Sequence, residues 1–291
     1  MLPAHASDRL LARIESTGAP VCVGLDPVSE RMPPELRPAA GDVAAAAAVE
    51  AFSVAVLDAV AGAVPAVKVQ AACFERHGPA GFAALARVLA HARGIGAFEV
   101  ILDFKRGDIG ISADHYAASA RGPMPSDWTT VSAYLGTDGI LPFVGAERGA
   151  FALVRTSNPS GDAIQSLRLA DGRTVAESVA DLVASAGEST VGACGFSNLG
   201  AVVGATKRAD AAALRDRMPR QLFLVPGFGA QGGGVDDVLP CFRADGRGAL
   251  VTASRSVIYA FGAGDRDWRT SIRRGAEELR SQVASGLGAR A

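Results

Sequence analysis

The chain has 291 residues, of which 29 are basic and 30 acidic, for a formal net charge of −1 without any basic block. Long-range attraction to nucleic acid or to an anionic membrane is therefore not expected. An apolar content of 49% permits a sizeable core in one large α/β domain or two smaller ones.

The N-terminus, Met-Leu-Pro-Ala-His-Ala-Ser-Asp, lacks the basic-then-apolar order of a signal peptide, and a helix is expected at about 5–18. Residues 43–69 imitate a membrane span, but Glu50, Asp58 and Pro65 interrupt it well short of the ~20 clean apolar residues a span requires. Asp42 can cap a helix here, with Val49, Phe52, Val56 and Val60 along one stripe, so a soluble core helix is expected. Cys22, Cys73, Cys194 and Cys241 are far apart and three sit in apolar segments, as reduced thiols of a cytoplasmic protein do. His5, His77, His91 and His115 show no metal-ligand spacing.

Strand-like apolar runs fall near 20–25, 66–70, 98–104, 129–133, 151–156, 199–204, 221–226 and 248–253. Helical segments are expected over 42–62, 79–93, 112–121, 137–148, 174–186, 208–218 and 266–284, the last being the C-terminal helix. Eight strands alternating with helices, undivided by a linker, predict a single-domain (β/α)8 TIM barrel over 1–291. A doubly wound open sheet is the alternative. The stretch Ile164–Val175, with Ala-Asp-Gly-Arg in turn-like order, reads as an inserted hairpin or loop.

Polar residues gather at the carboxyl ends of these strands: Asp26, Lys68, Asp103 with Lys105, Ser157 with Asn158, Gln231 and Arg255. In a barrel those ends share one rim, where active sites are built. Residues 98–108, Phe-Glu-Val-Ile-Leu-Asp-Phe-Lys-Arg-Gly-Asp, are the most informative. Strand alternation puts Asp103 and Lys105 on one face and Phe104 on the other. Charges ending a strand that is apolar on both faces are costly unless paired. They imply a site, a structural salt bridge being the other reading.

Lys68, Asp103, Lys105 and Asp108 sum to zero charge, which a desolvated cluster tolerates. Asp103 or Asp108 as Mg²⁺ ligands is less attractive with two ammonium groups present. A lysine held between carboxylates stays protonated and can donate a proton to a developing carbanion, whereas a Schiff-base lysine needs a lowered pKa. Late in the chain, Gly227, Gly229 and Gly232-Gly233-Gly234 frame Gln231, and Ser254-Arg255-Ser256 follows the last strand. Backbone N–H groups and a guanidinium in those two loops suit a phosphate dianion, against the alternative of a flexible surface loop.

These residues resemble the orotidine 5′-phosphate decarboxylase family, in its longer bacterial branch. Asp103-Phe-Lys105-Arg-Gly-Asp108-Ile109 is similar to its D-x-K-x-x-D-I signature, and 68–78 to its K-x-Q-x-x-x-F-E-x-x-G segment. Thr156-Ser157-Asn158-Pro159 resembles its fifth-strand turn, and 226–233 and 254–258 its phosphate segments. The matches run in order from Asp26 to Ile258. Ser112 stands where many relatives have threonine, and Ser254 where a glycine is frequent.

The resemblance implies decarboxylation of orotidine 5′-monophosphate to uridine 5′-monophosphate (UMP) in pyrimidine biosynthesis, with neither metal nor cofactor. Lys105 would protonate carbon 6, Asp103 would lie beside the substrate carboxylate, and Lys68 would link ribose to the charged network. Asp108 would come from the partner of a homodimer. Asp26 would contact ribose and Ser157 the pyrimidine, with Ile109 and Ser112 also at the substrate. Gln231, Arg255 and the Ser254 N–H would hold the phosphate. Two rivals remain at this stage. One is an Mg²⁺-dependent sugar-phosphate lyase of the hexulose-phosphate synthase type, which resembles the chain less at Lys68, where it carries glutamate. The other is a non-catalytic nucleotide-binding barrel, which would need no lysine–carboxylate tetrad.

Overall fold

Runs of valine, leucine, isoleucine and alanine form parallel strands in the computed structural model, which describes residues 2–38, 40–229 and 234–289. The strands are β1 (Val21–Leu25), β2 (Ala66–Gln70), β3 (Glu99–Arg106), β4 (Trp128–Ser132), β5 (Gly149–Arg155), β6 (Leu199–Val203), β7 (Phe223–Pro226) and β8 (Ala249–Ala253). Each pairs with the next, and β8 returns to β1 with Val21 opposite Val251, closing the barrel. The open doubly wound sheet is thereby excluded.

Between most strands the chain returns along the outside as a helix: Asp42–Val60, Gly78–Ile95, Gly110–Arg121, Val175–Gly187 and Arg208–Arg217. Helix Ala6–Thr17 precedes the barrel and Trp268–Gly288 follows it. Asp42–Val60 is, among the described residues, the one helix long and apolar enough to cross a membrane. Its Val49, Phe52, Val56 and Val60 are buried against the barrel.

One expected helix is absent. Residues 137–148 form only the short 3-10 turns Thr137–Gly139 and Leu141–Phe143. Ile140, Leu141, Phe143 and Val144 imitate a helical stripe, but Gly136 adopts φ +81° and Pro142 has no N–H to donate. The stretch Ile164–Val175 holds a small hairpin: Arg168 and Thr174 form an antiparallel bridge, and the Leu169 N–H donates to the Arg173 carbonyl at 2.7 Å. A helical turn, Asp162–Gln165, precedes it.

Strand alternation divides the core in two. Val23, Val67, Val69, Val100, Leu102 and Val251 face the surrounding helices. Cys22, Ala66, Ile101, Trp128, Phe151 and Leu250 fill the lower barrel, in one cluster with Leu10 and Leu11 of the first helix. Two residues further along the same inward rows, polarity begins. Ala66 is succeeded by Lys68 and Gln70, Ile101 by Asp103 and Lys105, Trp128 by Thr130, and Leu250 by Thr252 and Ser254.

The apolar floor is tightly filled. Trp128 stacks on Phe151 with ring centroids 4.7 Å apart, and a Cβ at Gly149 would come within 2.1 Å of the Trp128 ring. Gly149→Ala should therefore lower stability by about 1–3 kcal/mol through overpacking, and Trp128→Ala by about 3–5 kcal/mol through the cavity it leaves. Urea unfolding checks both; a Gly149→Ala protein as stable as wild type would refute this packing.

Candidate active site

Above that floor the barrel opens into a cavity of about 470 Å³. Its walls differ. Asp26, Lys68, Gln70, Asp103, Lys105 and Thr130 supply charge and hydrogen bonds from β1 to β4, whereas Leu153, Val202 and Leu224 make an apolar wall from β5 to β7. Thr156, Ser157 and Asn158 lie beyond β5, and Gly227, Phe228, Ser254 and Arg255 beyond β7 and β8.

Asp103 is the hub. Lys68 Nζ donates to its Oδ2 at 2.7 Å and Lys105 Nζ to its Oδ1 at 2.6 Å. Gln70 Nε2 reaches Oδ2 at 3.2 Å, and the Thr130 hydroxyl donates to Oδ1 at 2.8 Å. Asp26 adds a second carboxylate 3.6 Å from Lys68 Nζ. Burial alone would raise the Asp103 carboxyl, but Lys68 and Lys105 overrule it and hold its pKa well below the usual carboxylate range. Burial likewise opposes the Lys68 ammonium, yet Asp103 and Asp26 raise its pKa above that of a free lysine. Both residues are thus charged at neutral pH.

Backbone geometry serves this arrangement. Lys105 takes φ +45°, a conformation that costs a non-glycine residue about 1–3 kcal/mol. Its N–H donates to Thr130 Oγ1 at 3.0 Å, and the β3–β4 register shifts between Leu102 and Arg106. Lys105 thereby stays on the Asp103 side while Phe104 packs outward against Phe143, as alternation anticipated.

At the far end Gly227 adopts φ +100°, and Ser254 precedes the turn Arg255–Ile258. A Cβ on Gly24 would lie 2.0 Å from Ser254 Oγ. The missing side chain on β1 thus makes room for the serine on β8. Gln231 lies outside the described residues. Among those described, no group of three or more His, Cys, Asp or Glu side chains is arranged to hold a metal ion.

The sequence matches the model of the orotidine 5′-phosphate decarboxylase / HUMPS family over residues 19–263. The chain belongs to that family. It is 43% identical to the orotidine 5′-phosphate decarboxylase of Rhodopirellula baltica, over 94% of this chain and 97% of the relative. Against that of Herpetosiphon aurantiacus the identity is 40%, over 86% and 88%. The structure of Leishmania donovani OMP decarboxylase is similar with a TM-score of 0.79 and 31% identity, covering 98% of this chain and 99% of that one. The family resemblance and the barrel read from the sequence are both borne out.

Of the expected site residues, Asp26, Lys68, Asp103, Lys105, Ser157, Ser254 and Arg255 line one cavity. Asp108, Ile109 and Ser112 do not line it in a single chain. Ile109 is 57% exposed, and Asp108 Oδ1 accepts the Ile109 N–H at 2.9 Å. Gln70 and Thr130, both bonded to Asp103, were not anticipated; the signal was their place two residues beyond Lys68 and Trp128 on inward-facing rows.

The charged pair has a definite pH signature. The folded pKa of Asp103 lies below its unfolded value of about 3.9. Its contribution to stability is present above that value and lost as pH falls from about 4 towards the depressed folded pKa. Lys68 is the mirror case: its contribution is complete below about pH 10.4 and lost as pH rises through the raised folded pKa. The pair's contribution should be flat between about pH 5 and 9. Denaturant titrations between about pH 6 and 3 should show an acid loss that is smaller in Asp103→Asn; equal acid slopes in the two proteins would refute the assignment.

Proposed function

We infer that this protein removes the 6-carboxylate of orotidine 5′-monophosphate to give UMP and carbon dioxide. The observation that carries the reading is the Lys68–Asp103–Lys105 array inside one cavity, in a chain of this family. The apolar wall of Leu153, Val202 and Leu224 suits a flat uncharged ring, and Arg255 with Ser254 suits a phosphate. Charged array, apolar wall and cationic end together offer one surface each for the sugar, the base and the phosphate ester of a nucleotide.

In the chemical step the bond from carbon 6 to the carboxylate breaks, and its electron pair stays on the ring carbon. Lys105 donates a proton from Nζ to that carbon. Asp103 sits beside the leaving carboxylate and orients both lysines. Lys68, with Asp26, joins the ribose to the network. The lysine mechanism needs an ammonium group within reach of carbon 6, and Lys105 Nζ is held on the Asp103 side of the cavity. Lys105 has a 47% exposed side chain, so solvent can return its proton after turnover. No metal is required by this sequence of events, and Lys68 stands where an Mg²⁺-dependent relative would want a carboxylate.

The site is complete only in a homodimer, with Asp108 supplied by the partner. The support is the surface beside it. Ile111 is 72% and Tyr134 86% exposed, with Leu135 and Leu141 also open to solvent. These lie at the start of helix Gly110–Arg121 after β3 and in the segment after β4, where a Cβ on Gly139 would lie 3.2 Å from the Asp108 carbonyl oxygen. Exposed apolar side chains gathered around a charged motif fit a subunit contact. Ile109 and Ser112 belong to that contact region, and the family motif assigns Gln231 a phosphate-binding role.

The direct test follows loss of orotidine 5′-monophosphate absorbance in chelator-treated protein, where turnover should persist. Lys105→Ala should lose about 10²–10⁴-fold or more in kcat while keeping most nucleotide affinity; surviving activity would refute the proton-donor role. Lys105→Ala and Asp108→Ala, each inactive alone, should regain partial activity when mixed and allowed to exchange subunits. A mixture that stays inactive despite demonstrated exchange would rule out the shared site.

A further inference from the structure

We propose that the segment after β5, from the helical turn Asp162–Gln165 into the hairpin, is a buttress for the base-facing wall of the cavity, with Gln165 as its positioning residue. The inference rests on the nucleotide reading above and adds residues that touch no substrate.

The Gln165 carboxamide grips Thr156 at both ends. The Thr156 N–H donates to Gln165 Oε1 at 2.9 Å, and Gln165 Nε2 donates to Thr156 Oγ1 at 2.8 Å. The same Oε1 accepts from Arg155 Nη1 at 3.2 Å. Arg155 is only 4% exposed and anchors the grip, donating to Asp162 at 2.7 Å and to Asp210 at 2.6 Å. Asp162 also accepts from Lys207 at 2.6 Å, so the helical turn that carries Gln165 is tied to the loop after β6. That loop holds the turn from its other side. A Cβ on Gly204 would lie 2.8 Å from Ser157 Cα, and Thr206 Oγ1 donates to the Ser157 carbonyl at 3.1 Å.

The turn so held, Thr156–Asn158, has no ladder of its own, because it lies beyond the last β5–β6 pair, Arg155 with Val203. Its conformation is therefore set by these side chains. It stands three strands from the Ser254–Arg255 end of β8 and adds hydrogen-bonding groups to the cavity beside the apolar Leu153 of β5. What it positions is the edge of the ring and not the phosphate. A misplaced hydrogen-bonding wall loses affinity for the group it faces and leaves remote contacts intact.

Calorimetric titration of the full-length protein with UMP and with ribose 5-phosphate, which lacks the base, separates these effects. Gln165→Leu removes both arms of the grip and should weaken UMP binding about tenfold, while ribose 5-phosphate stays within about twofold of wild type. Gln165→Glu, whose carboxylate can accept from both the Thr156 N–H and hydroxyl, should restore UMP affinity to within about threefold. Gln165 is half-buried on a surface segment, so its replacement opens no core cavity; Gln165→Ala provides a second variant, and melting curves check the fold. Unchanged UMP affinity in both Leu and Ala variants, equal loss for both ligands, or no recovery with Glu would each overturn the inference alone. A wild-type protein that binds neither ligand would overturn the functional reading and this inference with it.

Discussion

A carboxylate almost wholly withdrawn from water is the constraint around which this barrel's upper half is arranged. Asp103 is 5% exposed, and an ion so placed is strongly disfavoured unless opposite charges and donors surround it. Two ammonium groups, a hydroxyl and a carboxamide do so. Removing either lysine would leave the other charges unbalanced, so the four groups act as a unit. The unit also explains the strained backbone at Lys105: the left-handed turn keeps its Nζ on Asp103 where the strand would otherwise end. Strain held by hydrogen bonds from a neighbouring strand is a form of preorganisation.

The fold keeps stability and chemistry on the same strands but at different heights. Below, Trp128, Phe151 and Ile101 fill the interior; above, the inward rows become charged. One substitution at the lower level changes packing, while one at the upper level changes protonation and contact with ligand. The angular division is as informative as the vertical one. Charge occupies β1 to β4, whereas β5 to β7 are apolar, so a bound molecule meets ions on one side and hydrocarbon on the other. A ring whose reacting carbon faces the charges and whose remaining atoms face hydrocarbon satisfies both walls.

Much of this was legible in the chain. All eight strands lie within two residues of their expected limits, because apolar runs bounded by glycine and proline leave little ambiguity. Asp103, Lys105 and Lys68 could be singled out because charge at the end of an apolar strand is costly. Gln70 and Thr130 could not: such residues occur at many strand ends, and only the neighbouring carboxylate gives them a role. The false helix at 137–148 shows the opposite error, a plausible apolar stripe overruled by backbone requirements at Gly136 and Pro142. The φ of Lys105 left no trace in composition or periodicity. Asp108 was legible as part of a motif, yet its distance from the single-chain cavity is a matter of tertiary geometry.

That last point bears on how the charge balance works. Asp26, Lys68, Asp103 and Lys105 already sum to zero in one chain, so the pocket can exist without a partner. A further carboxylate would make it net negative, which is unfavourable for a doubly charged phosphate ester that also carries a carboxylate. Two features offset this. Arg255 adds a positive charge to the same cavity beyond β8, and the Lys105 side chain, 47% exposed, is open to a second carboxylate. An added acid beside Lys105 would hold its ammonium from a second direction while Asp103 faces the leaving group. In the proposed step the substrate's negative charge moves from the carboxylate to carbon 6 as neutral carbon dioxide separates. The Lys105 proton then cancels it there while the lysine becomes neutral, so the total charge is conserved and only its position changes. An acid supplied there by a partner, as proposed above, would act through its contact with Lys105, holding the proton donor in place until carbon 6 becomes anionic.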